Sequence, residues 1–95
     1  MMPREIGRRE RRIPRAAEAQ LIEGGEPPFS ESVVTENISA NGARLRCQYS
    51  WDVGLMVRFQ YHGHQSQALV VYCERTPSSQ YAVGLKFMPG DGISV

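Results

Sequence analysis

The sequence lacks several features that define other classes of protein. No run of apolar residues approaches the roughly 18 that a membrane-spanning helix requires, and the N-terminus lacks the hydrophobic segment of a secretory signal peptide. The two cysteines, Cys47 and Cys73, lie far apart in the chain and form no CxxC motif. We therefore expect a cytoplasmic protein with reduced, buried thiols and no membrane insertion, with a disulfide between the two cysteines as the alternative.

The residue patterns typical of catalysis are also missing. No Ser/His/Asp set and no pair of carboxylates stands out along the chain. His62 and His64 form an HxH pair that could ligate a metal, but no third ligand is near them in the sequence. Gly63, between the two histidines, favours a hairpin turn instead. We expect a protein that is not an enzyme and that needs no metal or cofactor.

The charge of the chain is distributed unevenly. Residues 1–15 hold six arginines and two glutamates, a net charge of +4, whereas residues 16–95 hold five basic and eight acidic residues, a net charge of −3. All six cations of the first segment are arginine, whose planar guanidinium pairs with phosphate and stacks on flat rings in ways that lysine cannot. This asymmetry indicates an anionic partner.

The order of apolar and turn residues predicts an all-β domain. The chain has 95 residues, enough for one small domain, and residues 15–22 fit either a helix or a strand. The strands predicted after them are 32–36, 43–47, 55–61, 67–74 and 80–88. Short strands separated by frequent turns predict a small six-stranded antiparallel β-barrel. We place this barrel at residues 13–89, between a flexible arm of residues 1–12 and a disordered tail of residues 90–95.

Two short motifs could contribute to a binding site. The first is RxxxR, formed by Arg11 and Arg15, whose guanidinium groups could grip two sides of one anionic ligand if the chain bends at Pro14. Its simpler interpretation is a solvated basic tail. The second is NISANG, residues 37–42, in which Gly42 allows a positive φ or a close approach of backbone. Its simpler interpretation is a plain β-turn.

In this order and spacing, the two motifs resemble the signature of the PilZ domain, RxxxR followed by [D/N]xSxxG. Two further segments are similar to the family pattern: the turn with a glycine in residues 51–57, and AVGLKF in residues 82–87. The resemblance covers about residues 8–88. It implies a six-stranded β-barrel that binds cyclic di-GMP, a bacterial second messenger.

The resemblance also implies which residues bind the dinucleotide. The arginines of RxxxR contact its phosphates and guanines, while the second motif contacts a guanine and shapes the pocket. The implied ligand-binding residues are Arg11, Arg12, Arg15, Asn37, Ser39 and Gly42. We expect the ligand to order the arm over the barrel, and this ordering to signal to a downstream protein or a fused domain.

Some of these assignments have alternatives. Arg8 and Arg12 form an earlier RxxxR, although Arg15 lies closer to the barrel. Glu10 stands where relatives that bind a stacked ligand dimer often carry an arginine, which leaves the stoichiometry open. Tyr72 falls where some relatives place an aromatic ring beside a ligand base, and packing in or at the rim of the barrel is the other interpretation.

Two other functions are compatible with the sequence. A PilZ-like adaptor would act through protein partners without binding the ligand, although both motifs of this chain are intact. A small β-barrel with a basic arm could also bind nucleic acid. The predicted strands offer few exposed aromatic residues in a stacking pattern, so nucleic acid is the less favoured partner.

Overall fold

The computed structural model describes residues 17–90, and this part of the chain consists of β-strands joined by turns and loops. The six strands are β1 (Ala17–Glu23), β2 (Phe29–Ile38), β3 (Gly42–Cys47), β4 (Met56–Tyr61), β5 (His64–Arg75) and β6 (Tyr81–Phe87). No helix occurs within residues 17–90, and therefore none that could cross a membrane.

The strands form a closed antiparallel barrel in the order β1-β2-β3-β6-β5-β4, with β4 pairing back onto β1. Closure gives every strand two neighbours, so no strand presents an unpaired edge to solvent. The predicted six-stranded barrel is confirmed. The helical alternative for residues 15–22 is wrong from Ala17 onward, because β1 pairs with both β2 and β4 and alternates Ala19 and Leu21 into the core. Tertiary pairing here overrides a modest local helix propensity.

The core fills the barrel with side chains that alternate inward along each strand. Phe59 is fully buried, and its ring stacks with those of Tyr61 and Phe87 at centroid distances of 5.9 Å. Val83 and Leu85 are buried on the same inward face of β6 as Phe87. Burial of such side chains contributes roughly 1.5–3 kcal/mol each to folding.

The connection between β3 and β4 is attached to β2 at one end of the barrel by hydrogen bonds to a buried carboxylate. Trp51 is only 3% exposed, and its Nε1 donates a hydrogen bond of 2.9 Å to Glu31 on β2. The other oxygen of Glu31 accepts the backbone N–H of Gln48. Both carboxylate oxygens are therefore satisfied, as burial of a polar group requires.

The β4–β5 connection is the two-residue hairpin turn that the sequence predicts. His62 and Gly63 have φ values of 50° and 80°, as the type I′ turn between twisted strands requires. The His62 ring stacks on that of Tyr61 at 4.2 Å. Within residues 17–90, no group of three or more His, Cys, Asp and Glu side chains could hold a metal ion.

The two cysteines are free thiols in different surroundings. Cys47 is buried and Cys73 is half-buried. Burial raises the pKa of the Cys47 thiol to about 12, and the charges of Glu31 and Cys73 act in the same direction. Because the thiolate is the nucleophile, Cys47 should be inert in the folded protein near neutral pH.

Alkylation with iodoacetamide at pH 8 tests this prediction. We expect mass spectrometry of the native protein to find label on Cys73 and almost none on Cys47, and both to react in urea. A Cys73→Ser variant should then stay unlabelled until it is unfolded. Labelling of native Cys47 at the rate seen in urea would contradict the prediction.

Candidate functional site

The loop between β2 and β3 is held in place by its own hydrogen bonds. The backbone N–H of Ser39 donates to the carbonyl oxygen of Gly42 at 2.8 Å, and the N–H of Asn41 donates to the Ser39 hydroxyl at 3.3 Å. The carbonyl of Asn41 accepts the N–H of Phe87 at 2.8 Å, which fixes the loop to the end of β6. Ser39 is 5% exposed, so its first role is to shape this loop.

Gly42 begins β3 where two backbones approach closely. A Cβ atom at this position would lie 2.2 Å from the carbonyl oxygen of Leu85, far inside van der Waals contact. Leu85 is on β6, which pairs with β3 along this stretch. The close approach of the two strands therefore requires a glycine at this position. It is one of the two explanations that the sequence suggests, the other being a positive φ.

A β-bulge in β2 turns Asn37 outward. Thr35 pairs with Leu45, but Asn37 pairs with the next residue, Arg44, which leaves Glu36 as an extra residue in β2. Thr35 is buried inside the barrel, and strict alternation would have turned Asn37 inward as well. The sequence-based placement of Asn37 in a loop after the strand is wrong, because β2 continues to Ile38.

A second bulge, in β5, turns Tyr72 outward. Val70 pairs with Leu85 and Tyr72 pairs with Gly84, so Val71 is the extra residue. A Cβ at Gly84 would lie 2.1 Å from Cε2 of Tyr72 and 2.5 Å from both neighbouring ring atoms, Cδ2 and Cζ. These distances place the Cβ position almost directly above Cε2, along the normal to the plane of the ring. One face of Tyr72 therefore lies flat against Gly84, and a side chain at position 84 would displace it.

Together these features form an open groove of about 300 Å³ on the barrel, here called the outer groove. It spans the ends of β2 and β3 and continues across β6 to β5. Its lining residues are Asn37, Ser39, Gly42, Ala43, Arg44, Val71, Tyr72, Gly84 and Leu85. The structure thus brings Asn37, Ser39 and Gly42 together as predicted, and adds Tyr72 and Arg44 beside them.

Arg44 is held at the border of the groove by two neighbours. Its Nε donates to Glu36 at 2.7 Å, and its Nη1 donates to the Tyr72 hydroxyl at 2.9 Å. Arg46 also pairs with Glu36, through the second carboxylate oxygen. Burial alone would raise the pKa of Glu36, but the hydrogen bonds from the two arginines outweigh it and leave that pKa below its usual value. The hydrogen bonds with Glu36 and then Tyr72 raise the pKa of Arg44, which stays charged.

The predicted arginines of the arm, Arg11, Arg12 and Arg15, lie outside the described residues, as do the alternative Arg8 and Glu10. The described chain begins at Ala17, which pairs with Thr35, so β1 begins at the end of the barrel that carries the loop after β2.

Arg44 and Glu36 are the site residues that sequence reasoning missed. The alternation of small or apolar residues with arginine in residues 43–47 correctly predicts a half-buried strand. It also puts Arg44 on the outward face, two residues after Gly42, the glycine of the motif. This position beside the motif was the sequence feature that could have identified Arg44 as a site residue. The pairing with Glu36 depends on the bulge in β2, which the pattern does not reveal.

The described part of the chain is a small closed barrel with a polar groove at the end where β1 begins. The family model of the PilZ domain matches residues 7–94, nearly the whole chain, and the protein belongs to this family. PilZ domains are generally non-catalytic domains that bind cyclic di-GMP and act as effectors. No curated protein matches the chain.

Proposed function

We propose that this protein is a cytoplasmic receptor module for cyclic di-GMP, in which the outer groove and the arginine-rich arm bind the dinucleotide together. The observation that carries the proposal is the convergence of Asn37, Ser39 and Tyr72 on one groove. Two bulges and two glycines are needed to build that groove, and it lies at the end of the barrel where β1 begins. Membership of the PilZ family supports the choice of ligand.

Each side of the groove offers different chemistry to a dinucleotide. The Asn37 amide both donates and accepts hydrogen bonds, which suits the edge of a guanine base. The Tyr72 ring has one face against Gly84 and offers the other to a stacked base. Because Gly42 has no side chain, backbone atoms form the wall of the groove at this position. The groove is thus suited to hold one base by its edge and its flat face.

The arm supplies most of the positive charge in this proposal. Arg15 is two residues from Ala17, and Arg11 is within about 21 Å of it along an extended chain. The proposal has both arginines contact the ligand in the groove, with Arg12 as a further contact. Charge-assisted hydrogen bonds to the phosphates offset the entropy that is lost when the arm is fixed over the ligand. The surface formed in this way is what a downstream protein or a fused domain would recognise.

Titration with cyclic di-GMP tests the proposed function. We expect calorimetry to show saturable binding in the micromolar range or tighter. Amide NMR should show shifts concentrated in residues 8–15 and 37–42 and at Tyr72, with cyclic di-AMP as the control ligand. Absence of binding at micromolar ligand would overturn the proposal and favour the adaptor, which a ligand-independent pull-down of a partner would then identify.

A further inference from the structure

Among the residues of 17–90 that line the outer groove, Arg44 is the one that carries a formal charge at neutral pH. The other eight in this part of the chain are neutral polar, aromatic, aliphatic or glycine. Arg44 and Arg46 share the single carboxylate of Glu36, so this cluster keeps a net charge of +1. The barrel therefore brings positive charge to the groove independently of the arm.

The contacts of Arg44 fix its position and limit what it can bind. Nε is used by Glu36 and Nη1 by Tyr72, which leaves Nη2 as the nitrogen not engaged by these two contacts. Because Nε has a single N–H, the Nε/Nη2 fork is closed to a ligand, whereas Nη1 keeps a second N–H beside the two of Nη2. These remaining donors can bind one or two oxygens of an anionic group.

We propose that Arg44 binds a phosphate of the dinucleotide, as a third arginine of the site that comes from the barrel rather than from the arm. Glu36 and Tyr72 are its positioning residues. The Tyr72 hydroxyl holds Nη1 at the rim of the ring, with the guanidinium carbon 5.7 Å from the ring centroid. A base that stacks on the outer face of Tyr72 would bring its own phosphate towards this cation. The inference rests on the proposed function.

A charge-matched pair of variants tests the inference by calorimetry with cyclic di-GMP. Arg44→Ala should weaken binding by about tenfold to a hundredfold, because a charge-assisted hydrogen bond is lost. Arg46→Ala also removes one positive charge that is paired with Glu36, but Arg46 does not line the outer groove. This variant should change the affinity by less than about threefold. Equal losses in both variants would overturn the proposal, since only the overall charge would then matter.

Salt dependence separates a phosphate contact from a base contact. The difference between wild type and Arg44→Ala should shrink as NaCl rises to about 0.5 M, because salt screens the interaction of two charges. An unchanged ratio would assign Arg44 to a base edge and overturn the phosphate assignment. If wild type fails to bind, the proposed function fails; if wild type and Arg44→Ala bind equally well, the function stands and the role of Arg44 fails.

Two conservative variants distinguish loss of the Arg44 contact from loss of the fold. Arg44→Lys keeps the charge without the guanidinium fork and should recover part of the affinity lost in Arg44→Ala. Tyr72→Phe keeps the ring and removes the hydroxyl that orients Arg44, and should weaken binding by about twofold to fivefold. In the double variant Tyr72→Phe/Arg44→Ala, the phenylalanine should add no further loss. Additive losses would show that Tyr72 does not act through Arg44.

Discussion

Replacing Gly42 by alanine is expected to lower the free energy of unfolding by about 1–3 kcal/mol, as overpacking against rigid atoms does. The new Cβ would lie 2.2 Å from the carbonyl oxygen of Leu85, and a backbone atom cannot rotate away as a side chain can. The pairing of β3 with β6 must open locally to admit the methyl group. Urea denaturation followed by circular dichroism measures the loss, which is a large fraction of the stability of a domain of this size.

Gly24→Ala is the matched control for this substitution. A Cβ at Gly24 would meet nothing within 4 Å, so the same chemical change occurs in open space. We expect its stability to stay unchanged or to rise by a few tenths of a kcal/mol, because alanine restricts the unfolded chain. If both variants lose the same stability, the close approach of β3 and β6 is not the reason for Gly42. Where Gly42→Ala remains folded, its affinity for cyclic di-GMP should also fall, because the groove wall has moved.

Arg15→Ala is expected to weaken the binding of cyclic di-GMP by more than about thirtyfold, and Arg11→Ala by a similar factor. Under the proposed function, each substitution would remove hydrogen bonds from a charged group to a phosphate, and such bonds contribute roughly 1.5–3 kcal/mol apiece. The unfolding midpoint should not change, because both residues precede the first strand of the barrel at Ala17. Isothermal titration calorimetry measures the affinities.

Two further arginines serve as controls for the arm. Arg75→Ala removes one positive charge at the end of β5, which lies at the opposite end of the barrel from the loop after β2, and should leave binding unchanged. Arg8→Ala tests the earlier RxxxR motif. A larger effect of Arg8→Ala than of Arg15→Ala would move the ligand to Arg8 and Arg12. Equal small effects of all the arm variants would contradict a specific role for RxxxR.

The sequence predicts the barrel well because strands are encoded locally. Alternating burial and turn residues predict strands corresponding to β3, β4, β5 and β6, and the glycine between His62 and His64 predicts the hairpin turn. The segment that became β1 was ambiguous, since its local propensity favours a helix and only pairing with β2 and β4 resolves it. The placement of the domain boundaries at residues 13 and 89 stays a prediction.

The site is predicted less completely, for a physical reason that concerns register. The motif residues Asn37, Ser39 and Gly42 line one groove, since they lie close together in the chain, and their role in ligand binding stays a prediction. The outward orientation of Asn37 and Tyr72 depends on which residues they oppose in the neighbouring strands, and no pattern within a single strand contains that information. Arg44 was missed for the same reason, because its partners Glu36 and Tyr72 come from two other strands.

The two bulges make the site depend on the register of strand pairing as much as on the identity of the residues. If β2 kept all its residues but paired regularly, without the bulge at Glu36, Asn37 would face the apolar interior and Ile38 would face solvent, although every residue of the motif would still be present. Regular pairing of β5 would turn Tyr72 inward in the same way. For this barrel, a change of register that removes a bulge would therefore remove the binding groove, and a motif can be intact in sequence while its site is absent.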